Sequence, residues 1–156
     1  MMAFISDENR PTAPAKKVTL SNGWRFDEKI KSDPNNCAVI ITCLLEKLDA
    51  FKWSNRDAFG IHMAMEEAVM NAIRHGNKLD KEKEVHVLIE LSSTRFFSRV
   101  TDQGSGFDPT KVPDPTLDEN LEKTCGRGVM LMNNFVDKVT YNEVGNSVQL
   151  EKNKSE

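Results

Sequence analysis

The chain has 156 residues, of which 38% are hydrophobic and 29% charged, and its formal net charge is −3. This describes one ordinary globular domain with a sizeable core, and the absence of a long basic stripe argues against nucleic acid as a direct partner. No apolar stretch could span a bilayer, so no membrane association is expected, and the apolar start, residues 1–5, is too short for a signal peptide. Three cysteines without a C-x-x-C pair favour a reducing compartment, so we expect a cytoplasmic protein.

The beginning of the chain separates into an arm and a first pair of strands. Residues 1–16 carry prolines and scattered charge, which predicts a flexible N-terminal arm, and residues 17–156 are then expected to form a single domain. Within it a short strand is predicted at 17–20, and alternating apolar and charged side chains predict a better one at 24–30.

Two helices follow. Asp33 and Pro34 pair an N-cap with proline at the first helical position, which predicts a helix from there to about residue 50. The second is predicted over residues 55–75, with Ser54 and Asp57 as a capping box at its start and Gly76 just past its end.

The helix at 55–75 has two distinct faces. At about 100° per residue, one face is apolar and is expected to face the core: Ala58, Ile61, Met65, Val69 and Ala72. The opposite face combines small and polar residues: Gly60, Ala64, Glu67, Asn71 and Arg74. Small residues would let a flat or bulky object approach the backbone, although a solvated face is an equally open interpretation.

The second half of the chain predicts two hairpins that flank a long connection and a helix. Strands are expected at 85–91, 96–100, 138–143 and 147–152. Residues 108–125, rich in proline and polar side chains, are long for a connection inside a domain and are interpreted as a lid. The next helix is expected to bury Val129, Met130, Leu131 and Phe135. This order predicts an α+β fold, a two-layer sandwich with a mixed, mainly antiparallel sheet and helices on one face.

Three short stretches carry the chemistry, and each suits its element. Asp102 follows a strand and offers an anionic acceptor that suits an exocyclic amine, while Gly104 and Gly106 let the backbone approach a ligand closely. Gly126 and Gly128 precede a helix, where free N–H groups favour phosphate. Asn71 offers an oxygen to Mg²⁺, which shares its ligands with phosphates. Together they predict an adenine end, a phosphate end and a metal end.

These stretches resemble the N box and the two glycine boxes of the ATPase superfamily of gyrase, sensor histidine kinases and anti-sigma serine kinases. Glu-Ala-Val-x-Asn-Ala-Ile-x-His-Gly at 67–76, Asp-x-Gly-x-Gly-Phe at 102–107 and Gly-Arg-Gly-Val at 126–129 are most similar to the anti-sigma kinases. The resemblance covers roughly residues 24–152. Residues 108–125 match the family in place but not in any residues that align.

The resemblance implies a Bergerat-type (GHKL) sandwich that binds ATP and Mg²⁺. It implies that Glu67 is the catalytic base, Asn71 the Mg²⁺ ligand and Asp102 the adenine acceptor. The other motif positions implied in nucleotide binding are His75, Gly104, Gly106, Phe107, Gly126, Gly128 and Val129. Arg74 and Arg127 are expected to contact phosphate or, equally, to be surface charges. Helix geometry places Glu67 about 40° from Asn71 and Glu66 about 140°, so Glu67 is the better base.

The resemblance implies an anti-sigma factor serine/threonine kinase whose partners are an anti-sigma factor antagonist, as protein substrate, and a sigma factor. It also suggests a homodimer. A histidine kinase needs a preceding dimerisation helix pair, for which we expect no room here. Two alternatives stay open: a nucleotide-gated binding module without phosphotransfer, and a stand-alone histidine-kinase-type ATPase domain acting in trans.

Overall fold

The structure, a computed structural model, describes residues 22–106, residue 108 and residues 124–156, with only the backbone of residues 124–127. The predicted N-terminal arm, the strand at 17–20, Phe107 and nearly all of the lid lie outside the described residues. None of the helices in these ranges is both long enough and apolar enough to cross a membrane.

The described ranges contain three helices, one π-helical turn and five strands. In chain order they are β1 (Gly23–Lys31), α1 (Pro34–Ala50), α2 (Asn55–Asn71), the π turn (Ala72–Gly76), β2 (Glu84–Ser92), β3 (Arg95–Thr101), α3 (Thr124–Phe135), β4 (Lys138–Tyr141) and β5 (Ser147–Asn153).

The five strands form one sheet in the order β1-β2-β3-β5-β4, and every pairing in it is antiparallel. Alternate residues of β2 point to one face and are completely buried with the apolar sides of α1 and α2, as Val85, Val87 and Ile89 show. The other face carries charged pairs, such as Arg25 with Glu90 at 2.9 Å. The predicted α+β sandwich is thereby confirmed.

The two predicted helix starts differ in outcome. Asp33 caps α1 by accepting a hydrogen bond from the Asn35 N–H at 2.9 Å, as expected. Ser54 Oγ likewise accepts from the Asp57 N–H at 3.1 Å. The second half of the capping box is wrong, because the Asp57 carboxylate accepts the N–H and the hydroxyl of Ser155 instead.

The end of α2 also differs from the prediction. The regular helix stops at Asn71, and the chain continues through the π turn, in which the Asn77 N–H bonds to the carbonyl of Ala72, five residues back, at 2.8 Å. Gly76 therefore lies inside the turn and not beyond the helix. A widened turn of this kind recurs at functional sites.

Helix α3 begins earlier than the sequence suggests. It starts at Thr124, so Gly126 and Gly128 lie in its first turns and do not precede it. Its buried face contains Gly128 and Met132, while Met130, expected to be buried, is 40% exposed. The reason is that α3 packs with its glycine side against α2, which turns Met130 toward solvent.

Candidate nucleotide site

A cavity of about 220 Å³ opens between the π turn, the end of β3 and the hairpin of β4 and β5. Its apolar walls come from Ala68, Ala72, Val100, Val129, Met132, Tyr141 and Val148. Among the described residues, its polar groups come from Asn71, His75, Asp102, Ser105, Asn146 and Ser147, and glycines line it at Gly76, Gly106 and Gly145. A few convergent polar groups in a mostly apolar cavity are typical of a site for a small molecule or cofactor.

Asp102 is the anionic group of this cavity. It follows β3 directly, and its Oδ1 accepts the N–H of Gly104 at 2.8 Å. Burial raises the pKa of this carboxyl, and the Gly104 N–H and the charge of Lys83 offset the rise only in part. A half-desolvated carboxylate with unused acceptor capacity is suited to a ligand that donates hydrogen bonds.

The glycines around Asp102 make room for the protein's own groups. A Cβ on Gly76 would lie 2.2 Å from the Asp102 carboxyl, and one on Gly104 would lie 2.2 Å from the Gly76 carbonyl oxygen. Gly106 has φ +80°, which favours glycine, and its Cβ would lie 1.9 Å from the Val144 carbonyl oxygen. Gly104 admits the π turn, which brings the loop against the end of the helix, and Gly106 lines the cavity, while their contact with a ligand stays a prediction.

Glu67 and Asn71 lie where α2 meets α3. A Cβ on Gly128 would be 2.1 Å from Glu67 Oε1 and 3.1 Å from Asn71 Nδ2, so α3 crosses closely over both side chains. A Cβ on Gly60 would similarly meet the Phe135 carbonyl oxygen at 3.0 Å. Gly60 on this face of α2 thus accommodates α3.

Asn71 connects this contact to the cavity, because it both lines the cavity and faces Gly128. Tyr141 gives a second connection: burial, and then the charge of Glu67, raise the pKa of its hydroxyl to about 12. Asp102 and Asn71 therefore line one cavity, and the carboxylate of Glu67 lies beside it, outside the lining and against Gly128.

The other polar residues predicted near the site differ in whether they line the cavity. His75 is exposed but lines the cavity, whereas Arg74 is exposed and does not line it. Glu66 lies 3.2 Å from His62 on the outer side of α2, away from Asn71, which agrees with the helix geometry. Contact of Arg74 with phosphate stays a prediction, as does that of Arg127, whose backbone alone is described.

Sequence reasoning did not identify Tyr141, Ser105 or Asn146 as cavity residues. The β4–β5 hairpin reaches the site because β5 pairs with β3, which places Ser147 opposite Thr101. The strand order brings Tyr141 and Asn146 to the cavity, so no local pattern could have indicated them, whereas Ser105 lies between the two glycines of the motif that follows β3.

A magnesium ion, which the resemblance implies, is compatible with the residues present. No group of three or more His, Cys, Asp or Glu side chains in the described ranges is arranged to hold a metal. Asn71 nevertheless lines the cavity and has an amide oxygen, the kind of ligand that Mg²⁺ prefers when phosphates supply the others. The donor set therefore fits an ion that arrives with a nucleotide.

Comparison with known proteins gives one family and several relatives. The sequence pattern of the family described as histidine kinase-like ATPase domain matches residues 30–152. The anti-sigma F factor of Bacillus subtilis is 31% identical over 61% of this chain and 68% of its own length. Serine-protein kinase RsbW of Bacillus licheniformis is 29% identical over 73% of this chain and 75% of its length.

Two further matches are more distant. Serine/threonine-protein kinase BtrW of Bordetella bronchiseptica is 25% identical over 58% of this chain, which spans 65% of that protein's length. The solved structure of the RsbU and RsbW domains of a Mycobacterium tuberculosis protein matches with a TM-score of 0.59 at 18% identity. That match covers 85% of this chain and 33% of the solved chain, and it supports the fold alone.

Proposed function

Because this chain belongs to the histidine kinase-like ATPase family, together with the anti-sigma F factors and RsbW kinases that it resembles, we propose that it is an ATP- and Mg²⁺-dependent protein serine/threonine kinase. The observation that carries the proposal is the cavity that Asp102 and Asn71 both line, with Glu67 one helical turn before Asn71 and next to Gly128 as Asn71 is. Asp102 supplies a group that contacts the nucleobase, Asn71 a ligand for the metal and Glu67 a group for proton transfer.

The cavity at Asp102 holds the adenine. Its volume of about 220 Å³ is below the roughly 300–1,000 Å³ of pockets that enclose a whole drug-sized ligand, so it takes the base while the phosphates extend outward. The Asp102 carboxylate accepts the exocyclic amine of the base. Val100, Met132 and Val148 provide apolar walls on which the ring packs.

The phosphates extend toward Asn71 and the first turns of α3. Asn71 holds Mg²⁺, which when bound neutralises phosphate charge and helps to align the reacting groups. Glu67 takes the proton from a serine or threonine hydroxyl. The hydroxyl oxygen then bonds to the γ-phosphorus, and the bond from that phosphorus to the ADP oxygen breaks.

The protein substrate we propose is an anti-sigma factor antagonist, and the regulated partner is a sigma factor. This assignment rests on relatives named anti-sigma F factor and serine-protein kinase. A homodimer and a cytoplasmic location belong to the same proposal.

One contact favours a second function. The close approach of Gly128 to Glu67 covers this carboxylate with α3, where it has little room to receive a hydroxyl. A protein that keeps this contact with nucleotide bound would hold a partner without transferring phosphate. The choice between kinase and nucleotide-gated binding module therefore depends on Glu67.

Titration calorimetry tests the nucleotide proposal. The purified protein should release heat on addition of ATP with Mg²⁺. Asp102→Asn should lower the affinity between about tenfold and a hundredfold, because a hydrogen bond to a charged acceptor contributes about 1.5–3 kcal/mol. The matched control is Asp80→Asn, a change of the same chemistry outside the cavity lining. Folded protein that gives no heat with ATP and Mg²⁺ would overturn the proposal.

A further inference from the structure

Asn77, the first residue after the π turn, is fully buried and makes three hydrogen bonds through its side chain. Its Nδ2 donates to Ser32 Oγ at 2.7 Å and to the Glu84 carbonyl at 2.9 Å. Its Oδ1 accepts the N–H of Gln103 at 2.7 Å. Both donor positions and one acceptor position of the amide are therefore in use.

These bonds belong to a closed ring. The Glu84 N–H donates to Gln103 Oε1 at 2.7 Å, so Asn77, Glu84 and Gln103 each bond to the other two. The ring joins the end of the π turn, the start of β2 and the loop after β3. Asn77 is the buried member of this ring, and its three hydrogen bonds restrict the geometry of the more exposed Glu84 and Gln103.

The ring acts on the peptide group that follows Asp102. The N–H of this group, which belongs to Gln103, is held by Asn77. Its carbonyl, which belongs to Asp102, accepts Nδ2 of Asn146 at 3.1 Å. Two asparagines from different parts of the chain thus hold both polar ends of one peptide plane, which leaves it little freedom to rotate.

We propose that Asn77 is a positioning residue that directs the Asp102 carboxylate and thereby determines selectivity for adenine over bases without an exocyclic amine. Asn77 does not line the cavity, so it acts through Asp102 and not on the ligand. The inference rests on the proposed nucleotide function. It deepens that function because a small misorientation of a catalytic or binding group is costly even when the group itself is unchanged.

The test compares ATP with inosine triphosphate, which lacks the exocyclic amine, by calorimetry with Mg²⁺. Asn77→Ala should weaken ATP binding by about tenfold or more, the worth of one well-oriented hydrogen bond to a charged group. Binding of inosine triphosphate should change little, so the selectivity ratio falls. If both affinities fall in the same proportion, Asn77 has only a structural role and the inference is wrong.

Ser32→Ala is the matched control. It removes one bond from Asn77 on the side away from the loop and leaves the bonds to Glu84 and Gln103 in place. It should lower stability while the ratio of ATP to inosine triphosphate affinity stays at the wild-type value. A ratio that falls as far as in Asn77→Ala would contradict a specific action on Asp102.

A measurement on the wild-type protein needs no variant and no nucleotide. Gln103 is exposed, yet its amide is expected to exchange slowly because it donates to buried Asn77. Fast exchange would mean that Asn77 does not hold the Gln103 N–H, and the inference would be wrong. If the Gln103 amide exchanges slowly but calorimetry shows that the protein binds neither ATP nor inosine triphosphate, the proposed nucleotide function is wrong, and the selectivity claim falls with it.

Discussion

At the scale of single residues, Asp102 combines its proposed role in nucleotide binding with a cost in folding free energy. Burial raises its pKa, so the folded protein binds a proton at this carboxyl more tightly than the unfolded chain does. Its contribution to stability is present below the ordinary carboxyl pKa and is lost as the pH rises through the raised value. At neutral pH the ionised group therefore opposes folding until a ligand satisfies it.

We accordingly predict that Asp102→Asn stabilises the nucleotide-free protein near neutral pH while it weakens ATP binding. The amide keeps an acceptor for the Gly104 N–H but carries no charge to desolvate. The melting temperature of the variant should exceed that of wild type at about pH 7, and the difference should shrink toward about pH 4. A variant that melts lower than wild type at neutral pH would contradict this account.

At the scale of elements, the contact between the π turn and the loop after β3 forms the acceptor end of the site. Gly76 and Gly104 are both required there by space, because a Cβ on either would overlap atoms of the other element or of Asp102. The π turn changes the direction in which its side chains point relative to a regular α-helix. Within it, His75 and Gly76 line the cavity, whereas Arg74 does not.

Gly76→Ala should therefore displace the Asp102 carboxylate and lower ATP affinity by about tenfold or more. The control is Gly60→Ala in α2, whose Cβ would meet Phe135 and not Asp102. Calorimetry on both variants should show weaker ATP binding for Gly76→Ala alone. Equal ATP affinities in the two variants would mean that the close approach at Gly76 does not matter to the site.

The same scale shows what sequence could and could not predict. Alternation and helical periodicity identified β2, β3 and the apolar side of α2, because burial on one side imposes a local period. Motif spacing predicted that Asn71 and Asp102 belong to one site, and both line one cavity, while their ligands stay a prediction. The roles of Gly76 and Asn77 were not predicted, since each depends on contacts with the loop after β3, more than twenty residues away in the chain.

At the scale of the whole molecule, the end of β5 and the residues after it contact the start of α2. Asp57 is buried and accepts two hydrogen bonds from Ser155, 98 positions away, at 2.8 and 2.9 Å, and Lys152 Nζ lies 3.5 Å from it. Burial alone would raise the pKa of Asp57, but these partners lower it overall. The capping-box prediction was wrong at Asp57 because no local pattern contains this distant partner.

Asp57→Ala should reduce the free energy of unfolding by about 2–4 kcal/mol, because Lys152 and Ser155 lose a buried acceptor. Glu151→Ala, next to Lys152 in β5, removes a pair with Arg95 of β3 at the surface and should cost at most about 1 kcal/mol. Urea denaturation measures both. Since the pKa of Asp57 is lowered, its contribution is present above the ordinary carboxyl pKa and should disappear as the pH falls through the lowered value. If the free energy of unfolding lost in Asp57→Ala does not depend on pH, the charge of Asp57 does not contribute to stability.

The central claim is that Glu67 is the base of a protein kinase, and radiolabelled phosphate transfer from ATP to the cognate partner tests it most directly. Glu67→Gln should keep the fold and ATP binding but slow transfer by roughly 10²–10⁴-fold, the usual contribution of a general base. Glu66→Gln, one residue away on the outer side of α2, should change transfer little. Label on serine or threonine that depends on Glu67 is the predicted result. Label on a histidine, or a wild-type protein that binds ATP and partner yet never transfers phosphate, would contradict the account.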